Sequence, residues 1–180
     1  MSLVKLMNKY EIRGEVTSIL INSKTYGNHE VLIDTEKFSE IRTNFSTLNL
    51  YKDGNTHYVR CHKPKSNKTI TIHRYLTQAP KEMVVDHING DGLDNRLCNL
   101  RVVTRAENNQ NRRGAQRNSK SRVRGVFWHK VANKWAAQIK LNYKIIYLGV
   151  YENKEDAILA VQEARKRLMP FSQMDISKEA

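Results

Sequence analysis

The sequence predicts an α+β fold in two parts: a β-rich region, then a small three-stranded antiparallel sheet backed by one helix. Three observations support this. Short runs rich in β-branched and aromatic residues, separated by turn residues, dominate the first half of the chain. From Lys134 to Leu141 apolar and polar side chains alternate, and an apolar stripe at helical spacing follows. A basic stretch without aromatic residues lies between the two patterns.

In the first part, turn residues bound each predicted strand. Residues 52–55 include Asp53-Gly54 and lie between the apolar stretch at 48–50 and the run that begins at His57, so they predict a hairpin. Thr104 with Glu107 three residues later has the form of a capping box, so we expect a helix to begin after Thr104. Strands are predicted over residues 15–21, 30–33, 57–61, 69–72 and 83–85.

The second part is predicted to contain three strands and a helix. On the strand over 134–141, Trp135 and Ile139 fall on the buried face, whereas Gln138 and Lys140 fall on the opposite face. The next strand is expected to repeat the buried face with Ile146, Leu148 and Val150. Residues 154–169 then carry one helical apolar stripe, formed by Ala157, Val161, Ala164 and Leu168.

The positive charge is concentrated in one block. The chain carries a formal net charge of +13. Residues 101–150 contain twelve basic side chains and one acidic side chain, Glu107. Such a block indicates a polyanionic partner, with nucleic acid favoured over an anionic membrane surface.

Composition excludes several classes of protein. No apolar run is long enough to span a bilayer, and the start of the chain lacks the apolar core of a signal peptide. With only Cys61 and Cys98, neither a disulfide scaffold nor a four-cysteine zinc site is expected. We therefore expect a reduced, cytoplasmic protein that does not act at a membrane.

A basic segment separates the two predicted domains. Residues 112–124 hold six basic side chains, no acidic ones and no aromatic ones, so they cannot form a core of their own. We predict a first domain over 1–111, a basic linker over 112–122, a sheet-and-helix domain over 123–172 and a tail over 173–180.

The candidate catalytic and metal-binding side chains are concentrated between residues 84 and 111. Asp86 and His87 stand side by side at the end of a predicted strand, and Asn108 follows on the predicted helix. A carboxylate and an amide carbonyl suit a hard divalent cation, and a neutral histidine can take a proton from water. These are the parts of metal-assisted phosphodiester hydrolysis. Neighbouring strand residues point to opposite faces, so Asp86 and His87 can serve one site only if the strand ends or bulges there.

This segment resembles the HNH nuclease motif, with Asp86-His87 first, Asn99 central and Asn108 last. It is most similar to the variant found in phage and intron homing endonucleases. The resemblance implies a ββα-metal core in which Asp86 and Asn108 bind one metal, His87 is the general base, and Asn99 fixes the loop and the orientation of the base. The implied metal is magnesium, with manganese as the alternative. No zinc is expected, because flanking cysteine pairs are absent. For His73, a structural hydrogen bond is favoured over a catalytic role.

Residues 123–168 contain the motifs Arg124-Gly125-Val126, Lys134-Trp135-Ala136-Ala137 and Tyr147-Leu148-Gly149. Through these motifs the segment resembles the DNA-binding domain of plant ethylene-response factors. The resemblance implies that the exposed sheet face lies in the major groove of double-stranded DNA. Gln138, Lys140, Ile145 and Tyr147 depart from the residues usual in that family, so its base preference does not carry over. The implied contacts on or next to the sheet are Arg124, His129, Gln138, Lys140 and Tyr147. The basic segment adds expected phosphate contacts at Arg112, Arg113, Arg117, Lys120 and Arg122.

Together these features predict a site-selective DNA endonuclease of the homing type, from a phage or mobile element, with no obligate protein partner. The alternative is a DNA-binding regulatory protein with an inactive HNH core. An RNA-binding or membrane-surface module is a third possibility that only the charge supports. Whether one or both strands are cut stays open.

Overall fold

The computed structural model describes residues 6–64, 68–112, 114–115 and 118–175. The chain divides into two compact units, Met1–Val103 (unit 1) and Thr104–Ala180 (unit 2). The described residues form a mixed α and β fold of small antiparallel sheets and four α-helices. The domain boundaries predicted at residues 111, 122 and 172 stay predictions. The strands are β1 (Tyr10–Arg13), β2 (Val16–Ser23), β3 (Gly27–Asp34), β4 (Thr47–Asp53), β5 (Thr56–His62), β6 (Thr69–Thr71), β7 (Val84–His87), β8 (Leu100–Val103), β9 (Val126–His129), β10 (Lys134–Leu141) and β11 (Lys144–Tyr151). The helices are α1 (Thr35–Asn44), α2 (Ile72–Thr77), α3 (Arg105–Gln110) and α4 (Lys154–Leu168).

Unit 1 contains the sheets β1-β2-β3 and β4-β5-β6 and the strand pair β7-β8. The predicted strands of this region are present as β2, β3, β5, β6 and β7. The predicted hairpin is confirmed, because Asp53 pairs with Thr56 across a two-residue turn that begins at Gly54. Gly54 has a φ of +58°, which glycine adopts without steric cost.

A single apolar core fills unit 1. Helix α1, which the sequence analysis did not predict, contributes Phe38 and Ile41 to this core. Only these two of its side chains are buried, so its sequence carries no apolar stripe that would have revealed it. The same core holds the buried residues of β2, β3 and β5, among them Ile19, Ile33 and Val59.

Unit 2 contains the antiparallel sheet β11-β10-β9 with α4 packed on one face. The predicted strand and helical stripe are confirmed over Lys134–Leu141 and Lys154–Leu168. Ala137 and Ile139 of the sheet pack with Ala157 and Val161 of the helix in one buried cluster. The opposite face of the sheet carries Lys140 and Tyr147, both exposed.

One burial prediction for unit 2 is wrong. Val150 was expected on the buried face, but it is 41% exposed. The pairing of β10 with β11 shifts by one residue between Ala137 and Gln138, which is a β-bulge on β11. A one-residue shift reverses the alternation, so Tyr151 packs against the core in place of Val150.

None of the helices in the described ranges is long and apolar enough to cross a bilayer.

Candidate active site

Asp86 and His87 lie at the end of β7. This strand pairs with β8 so that Asp86 opposes Arg101 and His87 opposes Leu100. Asp86 is 8% exposed and His87 is 5% exposed. Because β7 ends at His87, the chain turns directly after the pair. This is the condition under which two neighbouring strand residues can serve one site.

The side chain of Asn99 ties together the two ends of the loop between β7 and β8. Its Nδ2 donates to Asn89 Oδ1 at 3.0 Å and to the carbonyl oxygen of Asp94 at 2.8 Å. Its Oδ1 accepts from the backbone N–H of Asn89 at 2.9 Å. The backbone adds a bond from Ile88 N to Asn99 O at 2.9 Å. The Asn99 amide thus donates two hydrogen bonds and accepts one, and these bonds fix the loop.

The ring of His87 is held by Asn95, a residue to which the sequence analysis gave no role. Asn95 is fully buried, and its Nδ2 donates to the carbonyl oxygen of Gly92 at 3.3 Å. That bond fixes the amide so that Oδ1 faces His87 Nε2, 3.2 Å away. An amide oxygen only accepts, so Nε2 carries the proton and Nδ1 is the unprotonated nitrogen of the neutral ring. The polar triplet Asp94-Asn95-Arg96 is the sequence feature that could have drawn attention to this position.

Burial keeps the His87 ring neutral. Loss of solvation lowers its pKa from the usual value, and this outweighs the opposing effects of Asn95 and the nearby carboxylates, Asp86 first among them. A neutral imidazole is the form that accepts a proton. The ring therefore has the protonation state that a general base needs at neutral pH.

An ion pair stabilises the loop beyond Asn95. Asp94 is 3% exposed and accepts from Arg96 at 2.8 Å and 2.7 Å. Burial alone would raise the pKa of Asp94, but the bonds from Arg96 hold this pKa below its usual value. The backbone N–H of Leu97 donates to Asp34 Oδ2 at 2.7 Å, which ties the loop to the end of β3.

Asp86, the predicted metal ligand, pairs with Arg101. Two nitrogens of Arg101 donate to Asp86 Oδ2 at 2.8 Å and 2.7 Å. The cross-strand register places the two residues opposite each other, so this ion pair belongs to the strand pair itself. Within the described residues, no three His, Cys, Asp or Glu side chains form a group that could hold a metal ion.

His73 and Tyr58 lie beside His87. The His73 ring meets the His87 ring edge to face, with centroids 5.2 Å apart and an interplanar angle of 88°. Tyr58 lies 5.9 Å from the His73 ring and 5.7 Å from the His87 ring. His73 Nδ1 is buried and has no hydrogen-bond partner among the described residues. The structural hydrogen bond predicted for His73 is therefore not found at Nδ1, and this unpaired atom costs about 1–3 kcal/mol.

Asn108, the second predicted metal ligand, lies on α3 at the start of unit 2. The predicted capping box is confirmed: Thr104 Oγ1 accepts from Glu107 N at 3.2 Å, and Glu107 Oε2 accepts from Thr104 N at 2.7 Å. The backbone N–H of Asn108 donates to Thr104 O at 3.0 Å, and its side chain is half-buried.

Arg124, a predicted DNA contact, is bonded within unit 2. Its guanidinium donates to the carbonyl oxygens of Asn109 at 2.8 Å, Gln110 at 3.1 Å and Arg112. Burial, followed by the neighbouring Arg165 and Arg112, lowers its pKa from the usual value. These bonds hold the C-terminal end of α3. A DNA contact by Arg124 stays a prediction.

The other predicted DNA contacts lie on the surface of unit 2 or outside the described residues. Arg112, Lys120, Arg122, Lys140 and Tyr147 are exposed, and His129 and Gln138 are half-buried. Arg113 and Arg117 lie outside the described residues. A cavity of about 520 Å³ in unit 2 has Arg112, Arg124 and Lys140 in its lining.

The segment that carries Asp86, His87, Asn95, Asn99 and Asn108 is similar to a known family. Residues 78–110 match the HNH endonuclease family. The match indicates a nuclease that acts on DNA, and HNH nucleases generally use a divalent metal ion. No curated protein and no solved structure matches the chain significantly. Residues 123–168 lie outside the matched segment, so their resemblance to ethylene-response factors stays a prediction.

Proposed function

We propose that this protein is a site-selective DNA endonuclease of the homing type that hydrolyses phosphodiester bonds with a water activated by His87. One observation carries the proposal: His87 is buried, its burial lowers the pKa of the ring, and Asn95 Oδ1 lies against its Nε2, which favours the tautomer with Nδ1 unprotonated. This arrangement lies inside the segment that matches HNH endonucleases. A neutral histidine held in one tautomer is the feature expected of a general base.

In the proposed step, His87 Nδ1 removes a proton from water while the water oxygen attacks phosphorus. The bond from phosphorus to the 3′ oxygen breaks, and the leaving oxygen ends as a 3′ hydroxyl after it takes up a proton. Asn95 keeps the proton of the resting ring on Nε2, and Asn99 holds the loop that carries Asn95. Preorganisation of this kind avoids reorientation during the reaction.

The two predicted ligands are of the chemical type that a hard divalent cation binds. Asp86 offers a carboxylate and Asn108 an amide carbonyl, and a magnesium ion takes few protein oxygens and keeps several waters. When bound, such an ion would neutralise charge that develops on the phosphate and on the leaving oxygen. The assignment of Asn108 as the second ligand rests on the sequence resemblance alone.

Unit 2 supports recognition in this proposal. The open face of its sheet and the basic segment before it carry no acidic side chain among residues 112–150. Exposed cations at Arg112, Lys120, Arg122 and Lys140 can contact phosphates without reading sequence. Gln138 and Tyr147 would supply contacts to base edges.

The experiment that tests the proposal is cleavage of supercoiled plasmid DNA with magnesium, with manganese or with a chelator, followed by mapping of the cut ends. We expect metal-dependent cutting at a small number of positions, with 5′-phosphate ends. His87→Ala should abolish cutting, whereas His62→Ala, which alters a half-buried histidine of β5, serves as the matched control. Equal cutting by wild type and His87→Ala would refute the mechanism.

A second candidate function is a DNA-binding regulatory protein with an inactive HNH core. The pairing of Arg101 with Asp86 favours it, because the guanidinium occupies the carboxylate predicted to bind metal. Arg101→Gln separates the two candidates. If the ion pair blocks metal binding, this variant gains manganese affinity and cleavage. If the protein is a nuclease as it stands, wild type cuts without the substitution.

A further inference from the structure

His73 belongs to an aromatic cluster that surrounds the proposed base. It is the second residue of α2 and is 8% exposed. Its ring stands perpendicular to the ring of His87, and Tyr58 of β5 lies against both. The cluster therefore joins α2, β5 and the end of β7 at the ring of His87.

Beside this cluster, the backbone at Gly92 lies very close to the backbone of β5. A Cβ atom on Gly92 would lie 2.3 Å from the carbonyl oxygen of His57 and 2.7 Å from the ring of Tyr58. The loop that carries Asn95 therefore packs directly on β5, and only glycine permits this approach. As a result the His87 ring is bounded by Asn95 at Nε2 and by His73 and Tyr58 at its sides.

The imidazole of His73 is costly at this position. Its buried Nδ1 has no hydrogen-bond partner among the described residues, so it keeps the desolvation penalty of a polar atom. Burial, followed by the neighbouring His87, lowers the pKa of His73 to about 4, so the ring is neutral. A phenyl ring would occupy a similar volume without an unpaired nitrogen. Packing alone therefore does not account for a histidine here.

We propose that His73 is a positioning residue for His87: its polar ring, set perpendicular to the His87 ring, holds the base in the orientation that directs Nδ1 to the attacking water. This inference rests on the proposed function. It assigns His73 no contact with DNA or metal. The imidazole differs from a phenyl ring by its dipole, and a dipole beside a ring that gains charge in the reaction favours one orientation of that ring.

The test compares His73→Phe with His73→Asn in single-turnover cleavage at saturating protein, alongside thermal unfolding and duplex binding. His73→Phe keeps an aromatic ring and removes the unpaired nitrogen. We expect it to unfold at a higher temperature, to bind DNA as wild type does and to cut at least tenfold more slowly. His73→Asn keeps a polar group near the position of Nδ1, so it should cut faster than His73→Phe even though it is less stable.

Tyr75→Phe is the matched control on the same helix, because it removes the bond from Tyr75 to Glu40 and leaves the cluster intact. It should change stability and leave the cleavage rate unchanged. Wild-type cleavage by His73→Phe overturns the inference, as does an equal loss in His73→Phe and His73→Asn. Should wild type and His87→Ala cut alike, the proposed function itself fails, which is a different outcome from either of these.

Discussion

The loop between β7 and β8 in unit 1 buries its polar side chains, whereas the open sheet face in unit 2 exposes large side chains. In the loop, polar side chains are buried and bonded to one another, as Asn99 and Asp94 show. On the sheet face, large side chains are left to solvent: Ile145 is 63% exposed and Tyr147 is 54% exposed. Under the proposed function, unit 1 would fix the reacting groups before substrate arrives, and unit 2 would keep its contact groups available to a partner.

After loss of the proposed base itself, the largest effect in unit 1 is expected from Asn95→Ala. Without the Asn95 carbonyl, the His87 proton can move to Nδ1, the nitrogen that must accept from water. We expect the cleavage rate to fall by about 100-fold, the upper range for residues that orient a ligand or base. DNA affinity should not change. The measurement is single-turnover cleavage, with Asn22→Ala on an exposed position of β2 as the control. A rate within twofold of wild type would show that Asn95 does not orient the base.

Arg124→Ala tests whether unit 2 uses this residue for its own structure or for DNA. Three carbonyl oxygens at the end of α3 lose their donor in this variant. The free energy of unfolding should drop by about 1.5–3 kcal/mol, the range for hydrogen bonds that involve a charged group. Chemical denaturation measures this effect. A stability equal to wild type combined with weakened DNA binding would instead support the contact predicted from the sequence.

Acid should destabilise unit 1 through its buried histidines. The folded-state pKa of His73 is about 4, and that of His87 is also lowered, mainly by burial in both cases. The unfolded chain therefore binds more protons than the folded chain between pH 6.5 and 4, so stability is present above pH 6.5 and is lost as the pH falls. For His73 the loss between these two pH values is about 3 kcal/mol. Denaturation with chelator across this range measures it.

His73→Phe should flatten part of this acid dependence, because it removes one of the two groups. An unchanged pH profile in that variant would show that His73 does not keep its lowered pKa in solution. Unit 2 contains neither His73 nor His87, so these two histidines do not contribute to the acid dependence of its stability.

The smallest effect is expected from Lys140→Ala on the sheet face. This side chain is exposed and makes no hydrogen bond to another described residue, so stability should not change. If Lys140 contacts a phosphate, the slope of log affinity against log salt should fall by about 0.9. Lys81→Ala, an exposed position in unit 1, is the control of equal charge. An unchanged slope would remove Lys140 from the DNA contacts.

How far the sequence predicted the molecule depends on whether a feature is local. The alternation over β10, the stripe on α4 and the capping box at Thr104 each lie within a short window, and all three are present. Val150 was assigned to the wrong face because a bulge depends on pairing with another strand. The contact from Asn95 to His87 could not be predicted, since it depends on how the loop turns back on β7.

The same reason separates the two predicted site roles of Asn99. Its part in fixing the loop could be anticipated from the motif, and its three bonds to Asn89 and Asp94 provide for it. Its expected part in orienting His87 has no counterpart among the bonds described, where Asn95 contacts the ring. The pairing of Asp86 with Arg101 could not be predicted from the sequence either, because it follows from the register of β7 and β8.

The measurement that tests the central claim most directly is single-turnover cleavage of duplex DNA by His87→Ala and wild type at saturating protein, with binding followed in the same samples. We predict equal binding and a cleavage rate at least about 100-fold lower in the variant, the range expected when a general base is removed. Equal rates at equal binding would contradict the claim that His87 activates the attacking water.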